Sequence, residues 1–478
     1  MRGYEAVIGL EVHVQLMTAS KLFSGAATAY GAAPNAQACP IDLALPGTLP
    51  VLNLEAVRMA IRFGLAINAQ LNQHSTFERK NYFYPDLPKG YQISQFERPV
   101  VGAGVLTFTG ANGQPLSIRI TRAHLEEDAG KSVHELLPGQ SGIDLNRAGT
   151  PLLEVVSEPD LRTAADAAAY FKALWLLVRS IGICDGQLQE GSMRCDANVS
   201  VRRVGQTELG VRTEIKNINS FRFVEKAIDY EIERQIDVLE SSGTIIRETR
   251  LYDAERNETR TMRVKESSED YRYFPDPDLL PLVLDENLIK AVRSSMPELP
   301  AARAVRYQSS FGLAGVVAAA LADDPDLSIY FEAVLTTGAD PRLAANWLIN
   351  DVSARLNESG LMIDGCPVPA LCLGQLICRL SDGTLSSKTA KIVFDTLWDS
   401  GGEVDAIIDA AGLRQMDDRD ALRSLIGELI AANPDQVQQF RTGKTKVLGF
   451  FVGQVMQKTK GTANPKSVNE LLAELLKP

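Results

Sequence analysis

At 478 residues, 45% hydrophobic and 23% charged, the chain has the composition of ordinary globular protein and the length of about three domains. Its 60 acidic against 49 basic residues leave a net charge of −11. That excludes a surface basic throughout, as broad nucleic-acid binding would need, but not a local basic patch. The longest apolar or glycine run, residues 311–322, is shorter than the ~20 residues that cross a bilayer. Six cysteines without a CxxC pair point to reduced thiols in the cytosol rather than a disulfide framework.

The N-terminus runs straight into a strand-like segment, with no apolar signal core and no Arg/Ser-rich transit segment. Residues 6–15, 116–122 and 197–202 alternate apolar and polar side chains, which predicts half-buried strands in an antiparallel or mixed sheet. Apolar spacings of three and four predict helices over 163–181 (Tyr170, Leu174, Leu177, Ile181) and 223–239 (Val224, Ile228, Ile232, Ile236). No strict βαβ rhythm appears, so residues 1–292 are expected to form an α+β domain. Pro297 and Pro300 punctuate a change of texture. Residues 293–402 read as all-helical, with starts at Asp340-Pro341 and Ser386-Ser387 and a stop at Gly401-Gly402. Residues 403–478 read as a third, all-helical domain. Its helices are capped at Asp417 or Asp418 and run through Ile430, start at Asn433-Pro434, span 444–460, and start again at Asn464-Pro465.

Phosphate-loop motifs fail on spacing. Gly130-Lys131-Ser132 has Leu125, and Gly443-Lys444-Thr445 has Gln438, where a P-loop needs its first glycine. Carboxylates carry more. Glu11 and His13, two apart on a strand, share a face and could hold a divalent cation. His124-Leu-Glu126-Glu127-Asp128 puts three carboxylates together, and Glu154 lies inside the apolar run 152–156, where a buried charge needs a partner. Taken alone, the first two patterns are more often solvated surface. Three such segments in one domain suit a Mg²⁺ site that handles nucleotide phosphates. In residues 77–97, Arg79, Lys80 and Lys89 interleave with Tyr82, Tyr84 and Tyr91. That pattern fits cations on phosphates and rings on a base, or an aromatic loop packed on the sheet. Near the C-terminus, Arg441, Lys444, Lys446, Lys458, Lys460 and Lys466 fall in a stretch without acidic residues, a footprint suited to RNA.

Across nearly its whole length the sequence resembles the GatB family, which supplies one component of the tRNA-dependent amidotransferases. The resemblance is carried by residues 8–14, 79–86, 90–95, 125–131, 144–160, 191–198, 214–221, 264–275 and 449–454. It implies a "cradle" domain similar to glutamine synthetase and guanidino kinases, a helical domain, and a tail similar to YqeY proteins that grips tRNA. It implies ATP-dependent phosphorylation of the side-chain carboxylate of Glu-tRNA(Gln) or Asp-tRNA(Asn). Amidation then follows, with ammonia from a glutaminase A subunit, a small C subunit bracing the heterotrimer in a bacterial-type cytoplasm. Carried over by position, Glu11, His13, Glu127 and Glu154 form the Mg²⁺ shell, Glu154 doubling as a catalytic carboxylate. Arg79, Lys80, Tyr82, Tyr84 and Lys89 contact nucleotide or aminoacyl end. Asp196 and Glu214 stand where ammonium can lose a proton. Arg441, Lys444, Lys446, Lys458 and Lys460 contact tRNA. Many relatives carry a zinc knuckle whose positions here are Ser24, Ala26, Cys39 and Asp42, so no structural zinc is expected, and Pro34, Pro40, Pro46 and packing must hold the loop. The competing readings are a stand-alone glutamine-synthetase-like ligase and a non-catalytic RNA-binding scaffold.

Overall fold

The computed structural model describes residues 2–137, 139–264, 271–415, 419–441, 447–459 and 463–476. They fall into two units, Met1–Leu299 and Pro300–Pro478. Alternation along β1 (Tyr4–Gln15) sets the plan of the first. Ala6, Ile8, Leu10, Val12 and Val14 are buried on one face, while Glu11 and His13 stand half-buried on the other. The chain continues through α1 (Leu54–Ala66), β2 (His74–Ser75), β3 (Glu78–Asn81), β4 (Tyr91–Ser94), β5 (Gly104–Thr109) and β6 (Pro115–Glu127). Then come β7 (Lys131–Leu137), β8 (Gln140–Asp144), β9 (Pro151–Ser157), α2 (Ala164–Ser180), β10 (Met193–Arg203), β11 (Thr213–Lys216) and α3 (Phe221–Glu240). The unit closes with β12 (Glu248–Asp253), β13 (Glu258–Val264), β14 (Phe274–Pro275), β15 (Leu282–Val283) and α4 (Glu286–Ser294). Eight strands form one sheet in the order β13-β12-β11-β10-β1-β9-β6-β5. The β11–β12 pair is parallel and the other pairs of this sheet are antiparallel, so the sheet is mixed.

Helices α2 and α3 cover one face. Tyr170, Phe171 and Leu174 of α2 and Val224, Ile228, Ile232 and Ile236 of α3 share a buried cluster with the even-numbered residues of β1. Their starts are written locally: the Thr163 hydroxyl accepts from Asp166 N and the Ser220 hydroxyl from Phe223 N. Helix α1 was not among the expected elements. Asn53 caps it, and Ala56, Val57, Ala60, Ile61 and Phe63 bury its inner side.

The β6–β9 ladder carries a register shift between Ile120 and Arg122. Before it, Ile118 and Ile120 belong to the core; after it, Ala123 and Leu125 do. One extra residue in a period-two strand thus turns His124 and Glu126 to the face away from the helices.

The loop carrying Ser24, Ala26, Cys39 and Asp42 is tied by a polar node. Asp42 accepts from Lys21 Nζ at 3.1 Å, Ser24 Oγ at 3.0 Å and Cys39 N at 2.9 Å, and the fully buried Lys21 ammonium also donates to Leu145 O.

The second unit is helical among its described residues. One buried cluster runs from Tyr307 to Leu413, and a separate one from Leu422 to Leu476. The first unit reaches past residue 292, because Met296 and Leu299 pack on its core. The middle cluster likewise passes residue 402, taking in Val404, Ile408 and Leu413. Helix Ser387–Ser400 has a capping box at Ser386 and ends at Gly401, where φ is +67°. The expected caps Asp417 and Asp418 lie outside the described residues. Among the described residues no helix is long and apolar enough to cross a membrane.

Candidate functional site

The sheet face away from α2 and α3 carries the charged side chains. Pairing sets His124, Glu154, His13 and Arg194 in one row across β6, β9, β1 and β10. The next row holds Glu11 and Asp196. His13 Nε2 lies 3.4 Å from Glu154 and 3.5 Å from Glu126. His124 Nε2 lies 3.3 Å from Glu154 and 3.6 Å from Glu126. Ligand atoms of His13, Glu126 and Glu154 all fall within 4.8 Å of one another. An imidazole and two carboxylates suit a divalent cation. His124 Nδ1, on the side of the ring away from these carboxylates, is buried with no hydrogen-bond partner among the described residues.

Charge is unevenly held here. Burial by itself would raise the Glu154 pKa, but His124 and His13 outweigh it and hold the carboxyl well below the usual range. Burial lowers the His124 pKa, yet Glu154 and Glu126 push it up to about 9; His13 is raised for the same reason. Burial by itself would lower the pKa of the half-buried Lys80, but the negative charge of Glu126 and Glu154 raises it. Asp128 is bridged by Arg147 at 2.6 Å and Arg194 at 3.0 Å, which hold it ionised despite burial. One carboxylate between two guanidinium groups leaves net positive charge beside the cluster.

Of the expected metal shell, the structure brings His13 and Glu154 together. Glu11 stands in the adjoining row and accepts from Asn198 Nδ2 at 2.8 Å. Glu127 points to the opposite face, where its Oε1 takes Ile93 N at 2.9 Å and the Lys89 ammonium. The adjacent Glu126 occupies the place expected for it, for the reason of period two. Of the residues expected to contact nucleotide, Lys80 feels the charge of Glu126 and Glu154 and stands 5.1 Å from the Tyr271 ring centre. Arg79 is held by Asp276 at 2.9 Å and Asp278 at 2.8 Å and lies over the Tyr91 ring. Lys89 is held by Glu127, Tyr82 meets Tyr271 edge-on, and Tyr84 is exposed. Asp196 accepts from Lys216 Nζ at 2.5 Å, which also lies 3.6 Å from Glu214; Glu214 accepts from Thr249 Oγ1 at 2.7 Å. Lys458 is exposed at the end of helix Val447–Lys458, whereas Lys444, Lys446 and Lys460 and the side chain of Arg441 lie outside the described residues. His124, Glu126, Arg194 and Lys216 were not in the expected set. For His124 and Glu126 the i, i+2 spacing was visible, but the register shift that aims them was not.

Known proteins place these observations. The family described as the GatB/GatE catalytic domain matches residues 6–290, and one described as the GatB domain matches residues 329–476. A protein of Thioalkalivibrio sulfidiphilus is 58% identical over 474 residues, 99% of each chain. One of Alkalilimnicola ehrlichii is 57% identical over the same share, and one of Pseudomonas syringae pv. tomato 55% identical over 98% of each chain. All three are named as the B subunit of an aspartyl/glutamyl-tRNA(Asn/Gln) amidotransferase.

Proposed function

The chain belongs to the GatB family of amidotransferase subunits, and on that premise we propose that its sheet face activates the side-chain carboxylate of Glu-tRNA(Gln) or Asp-tRNA(Asn). The chain is the B subunit of a tRNA-dependent amidotransferase, an ATP-dependent ligase that works as part of a complex. The observation that carries the site assignment is the His13, Glu126 and Glu154 cluster inside residues 6–290.

A carboxylate resists ammonia because neither oxygen can leave. Phosphorylation makes one oxygen a leaving group, and phosphoryl transfer asks the protein mainly for positioning and charge neutralisation. Bound Mg²⁺ supplies that neutralisation at the phosphates, and His13, Glu126 and Glu154 are the residues that would hold it. Glu11, one row away, is the candidate for a second contact. Lys80 and Arg194 add fixed positive charge at the edge where an anionic substrate must approach. Asp196, with Lys216 and Glu214, is the candidate acceptor for the proton that ammonium must lose before it attacks.

The finer architecture belongs to the same proposal: a cradle similar to glutamine synthetase, a helical domain around the middle cluster, and a YqeY-like tail from about residue 414 that holds tRNA. So do the glutaminase A subunit, the small C subunit and a cytoplasmic setting. The test uses the assembled complex with Mg²⁺, γ-labelled ATP and each misacylated tRNA, without an ammonia donor. Phosphate release that depends on the aminoacyl group and vanishes in Glu154→Gln is expected. ATP left intact with both tRNAs overturns the reading and favours an RNA-binding scaffold.

A further inference from the structure

We propose that Gln235 and Thr249 are positioning residues for the amidation step. They hold Glu214, and through it the pair of Lys216 and Asp196, an inference that rests on the reading above of Asp196 as acceptor of the proton that ammonium loses. Thr249 is fully buried on β12, and its hydroxyl donates to Glu214 Oε2 at 2.7 Å. Gln235 is fully buried on α3, on the other side of the sheet. Its Nε2 donates to Val199 O at 3.1 Å and to Thr213 Oγ1 at 3.3 Å. Val199 and Thr213 are partners across β10 and β11, and the next pair along that ladder is Asn198 and Glu214.

Strand β11 needs such holding. It has four residues, meets β10 at three pairs and meets β12 at three. Its pairing with β12 is parallel, the less stable arrangement. A slip of one residue would turn Glu214 and Lys216 toward α3 and send Ile215, now in the core, to the charged face. With so few pairs, ties from outside the ladder carry much of the register.

The inner side of α3 supplies those ties. Val224, Ile228, Ile232 and Ile236 make it apolar, but Glu231 and Gln235, about one turn apart, are polar and fully buried. Glu231 accepts from Arg234 at 2.6 Å, from Gln235 Nε2 at 2.9 Å and from Thr259 Oγ1 at 2.9 Å. Arg250, next to Thr249 in the chain, donates to Thr259 O at 2.6 Å, Thr261 Oγ1 at 2.9 Å and Glu248 at 2.7 Å. The network thus touches β10, β11, β12 and β13. Apolar side chains of the same volume would fix α3 to the sheet at least as well. Gln235 even carries a cost, since its Oε1 is buried with no partner among the described residues. What apolar packing lacks is fixed partners: these hydrogen bonds are made in one register. The groups that depend on that register lie on the opposite face, where Lys216 stands 3.6 Å from Glu214 and 2.5 Å from Asp196.

The test uses the assembled complex, with ammonium chloride as the ammonia source, and compares two rates on misacylated tRNA. One is amidation as a function of ammonium; the other is phosphate release without an ammonia donor. Thr249→Val removes the hydroxyl, and Gln235→Met removes the amide. Each is expected to lower kcat/KM for ammonium about tenfold while leaving phosphate release and the KM for ATP within about twofold of wild type. Thr249→Ser, which keeps the hydroxyl, should stay within about twofold on every constant. Should Gln235→Met fail to fold, Thr213→Val removes the hydroxyl that Gln235 holds and carries the same expectation. Variants that lower both rates in the same proportion, or that leave the ammonium constant unmoved, overturn the proposal. Asp196→Asn separates the two levels. If it lowers the ammonium constant while Thr249→Val and Gln235→Met do not, the proton-acceptor reading stands and the positioning role falls. If it leaves that constant unchanged, both fall.

Discussion

Glu126 and Glu127 are neighbours in the chain and face opposite sides of the sheet, so they make a matched pair of tests. Glu126→Gln should lower Mn²⁺ affinity at least about tenfold, read by paramagnetic resonance. Glu127→Gln should leave that affinity within about threefold but cost about 1–3 kcal/mol of stability, because Lys89 and Ile93 N lose their carboxylate. Protons give a second contrast. The folded pKa of His124, at about 9, lies above the ordinary ~6.5. Its ion pairs therefore stabilise the metal-free protein fully below pH ~6.5, and that contribution is lost as pH rises through about 9. Cation affinity runs the other way. A metal competes with these protons, so affinity should climb over the same window and binding should release protons. Urea midpoints in chelator at pH 6.5 and 9.5, beside Mn²⁺ titrations at the same pH values, check both slopes.

At the scale of elements, the sequence was a good guide wherever a period ran unbroken. The stripe Val224, Ile228, Ile232, Ile236 announced α3, and alternation announced β1. Because those faces carry the core, Ile228→Ala should cost about 2–4 kcal/mol, and Ser220→Ala about 1 kcal/mol through the lost cap, both read by urea denaturation. Helix α1 carries an apolar inner side of its own, with Val57, Met59, Ile61 and Phe63, but it follows a long irregular segment in a region of strand-like texture and was passed over. The site was legible in half. His13 and Glu154 announce themselves, the first by breaking the polarity of a strand, the second by sitting inside an apolar run. Glu126 did not, since extending the alternation of Ile118 and Ile120 aims Glu127, not Glu126, away from the core. What a ladder does between strands far apart in sequence is not written in either strand.

For the whole molecule, the two clusters of the second unit matter most. The cores at Tyr307–Leu413 and Leu422–Leu476 are separate, and a chain with several cores is not expected to unfold in one step. A chain ending after Leu413 should keep its first-unit cation affinity within about twofold, since the acidic cluster lies wholly in Met1–Leu299. Its affinity for misacylated tRNA should fall at least about tenfold if the tail is an RNA grip. Filter binding of labelled tRNA, beside Mn²⁺ titration of the same preparation, separates these outcomes. The basic tail was visible as composition, because charge can be counted along a chain, whereas the surface it forms cannot.

The irregularity between Ile120 and Arg122 gives β6 something like a reading frame. Upstream residues are read in one phase and downstream residues in the other, and one inserted residue makes the switch. Losing a single codon at Thr121 would remove the irregularity itself: Ile120 would still face Ser157 and Arg122 Val156, in one unbroken phase that keeps Ala123 and Leu125 in the core and His124 and Glu126 on the charged face. In a library of single-residue deletions, loss of Thr121 should be tolerated far better than loss of Leu125, which would turn Glu126 toward the core. The position would stand out as a spare letter in a strand whose downstream letters cannot be dropped.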